Sequence, residues 1–265
     1  MREAIPRVLD QHRLIGRELG TRAVNDQWIE AMSVTIFRGT PQQAADAVAA
    51  ALAEGIDPNA ISEAISLATI QLVLRDNGRA NAEGPNKPAG SIHGDSIGVH
   101  ACDSSNAWRN LSRAGNARHK VVCLVMGAWQ AARDRAERGG NFLNWQPYPR
   151  EDARNEVRKL PVNRLLPSLE DAIRANSQIR AAAITDRYLA SNQPVGPVWD
   201  LLRRYAISED GALHHEKFYR TTVEEYNSVR PAFRNRYLIA LARVTASGYG
   251  YAAPGHADAC RLLGM

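Results

Sequence analysis

Residues 40 to 75, TPQQAADAVAAALAEGIDPNAISEAISLATIQLVLR, spell out a helical hairpin. Thr40 has the hydroxyl of an N-cap, Pro41 stands at the first helical position, and Gln43 occupies the capping-box site. The helix read from Ala44 to Glu54 stops at Gly55. Asp57-Pro58 opens a second helix whose Ile61, Ala64, Ile65, Ala68 and Leu72 recur at helical spacing. The stretch therefore reads as two helices joined by a short turn.

The same reading extends in both directions. Residues 1–38 form one or two amphipathic helices, and 76–91, rich in Asn, Gly and Pro, form a loop. Helix resumes between Ile92 and His100, runs to about Arg113, and breaks at 114–117. Residues 118–138, carrying Val121, Val122, Leu124, Val125, Met126 and Trp129, form an apolar helix expected near the centre. Residues 141–167 read as a long irregular crossing, and Ser168 as the cap of a helix continuing to Leu189. Further helices are expected over 198–206, 211–228 and 231–246, followed by an irregular tail over 247–265. No strand-type alternation persists. The expected fold is all-α, a single compact domain over 1–265 with about eight to ten helices. Its parts are the N-terminal helices (1–75), the central helices (88–138), the C-terminal helices (168–246) and the tail.

Composition narrows the function classes. The 265 residues carry a formal charge of +5, 45% hydrophobic and 23% charged residues, as in an ordinary globular protein. The arginines are interleaved with acids, as in Arg133-Asp-Arg-Ala-Glu-Arg138, so no basic face for nucleic acid is expected. Cys102, Cys123 and Cys260 are odd in number and irregularly spaced, which argues against a disulfide framework and points to a reducing cytoplasm. No apolar run approaches the ~20 residues that span a bilayer, and no signal-peptide pattern opens the chain. Phosphate-binding glycine loops, dinucleotide fingerprints and Gly-x-Ser-x-Gly elbows are missing from the sequence.

Chemistry-bearing side chains concentrate in Pro88–Asn110: His93, Asp95, His100, Cys102, Asp103, Asn106 and Arg109. His93 and His100 stand seven apart, ~10.5 Å along an unbroken helix, too far to share one metal comfortably. The helix therefore breaks at Gly94 or Gly98, or the two imidazoles have separate tasks. Gly94 and Gly98 also make a small-residue pair that admits a second helix. His100 and Asp103, three apart, suit co-ligation of a metal, or a carboxylate that orients an imidazole. Asn106 and Arg109 continue that side and suit binding of a substrate oxygen, with Asp103, Asn106 and Arg109 as the candidate catalytic set.

A second constellation, Asp210, His214, His215 and Lys217, lies a hundred residues on. Adjacent histidines face about 100° apart, so only one can enter a given site. His100-Ala-Cys-Asp-Ser-Ser-Asn-Ala-Trp-Arg109, paired with Asp210-Gly-Ala-Leu-His-His-Glu-Lys217, resembles the questin-oxidase-like family. That resemblance implies a helical fold, oxidative cleavage of aromatic polyketide rings, and a non-haem iron held by histidines and a carboxylated lysine. Carried over, His214 and Lys217 would be a ligand pair, with His93 or His100 supplying another ligand. The family's early pair of histidines four apart is missing, since His12 stands alone there. Ala51–Ile65 is also similar to the hairpin of the carboxymuconolactone decarboxylase and alkylhydroperoxidase group, without its redox Cys-x-x-Cys.

The expectation is a metal-dependent, oxygenase-like oxidoreductase acting on an aromatic or polyketide-like small molecule. Its divalent metal, foremost iron, would be held by His93, His100, His214 and Lys217. The alternative is a non-catalytic helical protein that binds a ligand or assembles into a homo-oligomer, its polar residues forming a buried network. A metal-assisted hydrolase or lyase would use the same cluster.

Overall fold

The computed structural model describes residues 1–82, 89–92, 96–137, 140–208, 212–250 and 255–265. Within them the chain forms α1 (Ala4–Gln11), α2 (Asp26–Arg38), α3 (Pro41–Ala53), α4 (Pro58–Arg75), α5 (Ile97–Ala114), α6 (Ala117–Glu137) and α7 (Glu151–Val157). The second half adds α8 (Leu165–Arg174), α9 (Gln178–Ala190), α10 (Gly196–Ala206), α11 (Ala212–Ser228), α12 (Arg234–Gly248) and α13 (His256–Leu263). Extended pairing among the described residues is limited to one isolated bridge, Arg22 to Ile56. The fold is all-α around one continuous apolar core.

The hairpin is capped as the sequence predicts. Thr40 Oγ1 accepts the Gln43 amide at 3.2 Å, and the Gln43 side chain accepts the Thr40 amide at 2.9 Å. Asp57 accepts the Asn59 amide at 2.8 Å and opens α4. α4, rather than the 118–138 helix, is the buried axis of the molecule: fourteen of its eighteen residues are buried. α12 matches it, buried continuously from Tyr237 to Gly248. A helix covered on all sides cannot show a one-sided apolar stripe, so periodicity understates its centrality. α5 crosses close to α4 because Gly98 has no side chain. A Cβ there would sit 2.7 Å from the Val73 nitrogen.

The thirteen helices among the described residues exceed the eight to ten expected. Three places account for the excess. Asn176 takes a left-handed φ of 52° and splits the helix read from Ser168 to Leu189 into α8 and α9. Ser168 is therefore buried inside α8 instead of capping it. The 141–167 crossing contains α7, and the tail ends in α13. No helix of the described residues is long and apolar enough to cross a membrane.

Candidate functional site

Ser96 caps α5 through the Val99 amide, and the helix then turns Asp103, Asn106 and Arg109 into the protein. α11 lies beside it and meets it in a register set by polar side chains. His100 faces His214, Asp103 faces Lys217 and Thr221, Asn106 faces Glu224 and Glu225, and Arg113 reaches Ser228. Position numbers rise together on both helices, so α5 and α11 run parallel. The polar seam between them spans about 20 Å, thirteen residues at 1.5 Å each.

At its N-terminal end the His100 and His214 rings meet edge to face, with centroids 5.3 Å apart. Both are half-buried. One turn on, the Asp103 carboxylate is 4% exposed. Its Oδ1 accepts the Thr221 hydroxyl at 2.7 Å. Its Oδ2 is buried without a hydrogen-bond partner, and the Lys217 ammonium stands 3.6 Å away. Burial raises the Asp103 pKa above the usual range, against the pull of the Thr221 hydroxyl, Lys217 and His100. Lys217 itself is 55% exposed, so its stem lies along the surface and only its tip reaches inward.

Farther along, the seam becomes dry. Arg109 and Glu225 form an ion pair at 2.9 Å, 4% and 2% exposed. Arg109 also donates to the Ser62 hydroxyl and carbonyl, at 3.0 and 3.3 Å. Glu225 accepts Asn106 at 3.0 Å and the Ser66 hydroxyl, which in turn contacts the Tyr237 hydroxyl at 2.7 Å. Side chains of α4, α5, α11 and α12 thus converge on one charge pair. Burial holds the Tyr237 and Cys102 pKa values well above normal.

The structure thus brings His100, Asp103, His214 and Lys217 to one seam and places Asn106 and Arg109 in its dry half. His215 turns the other way, its ring lying against Gly248 of α12, where a Cβ would come within 1.6 Å of it. His93 and Asp210 lie outside the described residues. Among the described residues no three of His, Cys, Asp and Glu converge closely enough to hold a metal. Thr221, Glu225, Ser62, Ser66 and Tyr237 were not singled out from sequence. Their partners lie on other helices, 47 to 171 positions away, and nothing local signals that pairing.

A second polar centre, also unforeseen, sits at the far end of α4. Arg243 is fully buried. It donates to the carbonyls of Val73 and Asp76 and, at 3.1 Å, to Gln178. Its guanidinium also lies 3.9 Å from the Tyr148 ring centroid. Burial lowers its pKa to about 10. It acts as a C-terminal cap supplied from another helix.

No family model, no curated protein and no solved structure matches the chain.

Proposed function

We propose that the N-terminal end of the α5–α11 seam is a metal-dependent oxidoreductase centre for a small molecule. His100, His214 and Asp103 are the donors that would have to draw together around the ion, since no three such groups converge among the described residues, and iron is the metal such a set suits best. One juxtaposition supports this reading: two imidazoles from separate helices meet beside a buried carboxylate oxygen that has no hydrogen-bond partner. Two imidazoles on one ion, with nitrogens ~2.1 Å from it, place their centroids about 5 Å apart. The observed separation is 5.3 Å. Two histidines and one carboxylate also make up the donor set of non-haem iron oxygenases. The aromatic or polyketide-like substrate class enters from the family resemblance.

When bound, such an ion supplies redox chemistry and Lewis acidity. The protein's own groups prepare the place. Thr221 fixes Oδ1 of Asp103, which leaves Oδ2 as the oxygen offered to the seam. Burial raises the Asp103 pKa, against the pull of Thr221, Lys217 and His100. Arg109 and Asn106 are engaged with Ser62, Glu224 and Glu225. This reading gives them the task of fastening α5 to its neighbours rather than touching substrate.

The dry Arg109–Glu225 network favours a second reading: a non-catalytic ligand-binding or self-assembling helical protein whose polar groups only fix helix packing. The discriminating experiment is elemental analysis of untagged protein, with His100→Ala and His214→Ala checked for folding by circular dichroism. Stoichiometric iron, zinc or manganese, lost in both variants, is the expected result. Folded protein free of metal in all three forms would leave the second reading standing.

A further inference from the structure

α7 and α9 build a second polar surface away from the seam. Glu151, Arg154 and Arg158 follow one another on α7 and its C-cap at three- and four-residue steps, so they share a face. Asp186 and Arg187 of α9 lie opposite, and the five side chains line a surface cleft of about 350 Å³. Three guanidiniums thus stand against two carboxylates, which leaves a local surplus of positive charge. The three are engaged to different degrees. Arg154 pairs with Asp186 at 3.0 Å, in a contact 48% and 32% exposed that water screens. Arg187 donates to the carbonyls of Arg158 and, at 2.6 Å, Leu160, and its Nε is buried without an acceptor. The Arg158 side chain is exposed at the rim and enters no ion pair or hydrogen bond among the described residues. Glu151 is exposed as well, so solvent weakens its opposing charge.

We propose that this cleft binds a phosphate dianion, free or as the monoester of a small molecule. A phosphoryl group presents three terminal oxygens, one for each guanidinium, and arginine forks suit it; a carboxylate presents two. Asp186 holds Arg154 in place before the anion arrives, so less side-chain ordering is left for the binding step. Small-molecule sites start at about 300 Å³, so the cleft takes a ligand of sugar-phosphate size. It shares no side chain with the α5–α11 seam and stands or falls independently of the metal-centre reading.

The test is isothermal titration at low ionic strength, with glucose 6-phosphate, inorganic phosphate, succinate and glucose as probes. Arg158→Met is the leading variant, because its side chain supports no other part of the fold. Arg203→Met is the control: that arginine is exposed on α10 and paired only with Asp200 of its own helix. The expected result is saturable binding of phosphate or its ester, weakened about tenfold in Arg158→Met, the worth of one charge-assisted hydrogen bond. Arg203→Met should match wild type, and glucose should not bind. Tighter binding of glucose 6-phosphate than of inorganic phosphate supports the site with an ester as occupant; the reverse supports it with free phosphate. Absence of saturable binding of either, tighter binding of succinate, or Arg158→Met behaving as wild type or no worse than Arg203→Met overturns the proposal.

Discussion

Exchanging Arg109 for Met keeps most of the stem's volume and deletes the guanidinium from the driest part of the seam. Glu225 then remains 2% exposed, with Asn106 and Ser66 as its remaining donors, and the Ser62 carbonyl loses a donor as well. Breaking a buried pair by removing one partner costs about 3–5 kcal/mol, because the charge left behind can neither reach water nor find another cation. At about 2 °C per kcal/mol for a chain of this size, Tm should fall by about 6–10 °C. The assays are thermal melts for Tm and urea denaturation for the free energies, both followed by far-ultraviolet circular dichroism, on Arg109→Met, Glu225→Leu and the double variant. Removing both charges relieves the stranded one, so the double variant should be more stable than the sum of the single losses implies, by about 2 kcal/mol. Full recovery is not expected, since Ser62, Ser66 and Asn106 lose partners in either case. A loss below about 1 kcal/mol in Arg109→Met, the worth of an exposed pair, would refute the argument, and so would strict additivity.

Two other perturbations probe separate parts of the fold. Burial raises the pKa of Glu63, against the opposing pull of the Arg230 amide and guanidinium, so ionising it costs stability. The folded state then holds its proton longer than the unfolded one. Glu63's contribution is fully present below the ordinary carboxylate range and is lost as pH rises toward the folded value. In urea midpoints from pH 4 to 7, wild type should therefore lose ground to Glu63→Gln as pH rises. Arg243→Met strips the Val73 and Asp76 carbonyls of their donor and should cost about 2–3 kcal/mol. Lysine, a point charge without a fork, should not restore it in thermal melts.

The parts of the fold legible in the sequence are those whose causes are local. Thr40, Gln43 and Asp57 cap the hairpin through neighbours two or three residues away, so their spacing alone announces the structure. The split at Asn176 depends on one left-handed residue inside a continuous helical pattern, and composition gives no warning of it. The central place of α4 is not legible in the sequence, because Ser62, Glu63, Ser66 and Thr69 are buried only through the tertiary fold. Arg109, Arg230 and Glu225, all remote in sequence, engage three of these. For the candidate site, helix geometry gives the His100–Asp103 spacing and says that only one of His214 and His215 can face the seam, but not which one. The dry half of the seam could not be read that way, since each contact there joins helices that only the tertiary fold brings together.

The shared direction of α5 and α11 has an electrostatic consequence. His100 and His214 both lie in the first turn of their helices, so two N-terminal ends, each carrying about half a positive charge, lie side by side at that end of the seam. Under the proposed function, a dication entering there would meet one carboxylate and a surplus of like charge from the backbone itself. Antiparallel helices offering identical side chains would have cancelled that surplus. On the proposed reading, an ion there would be held better together with an anionic oxygen from a substrate than alone.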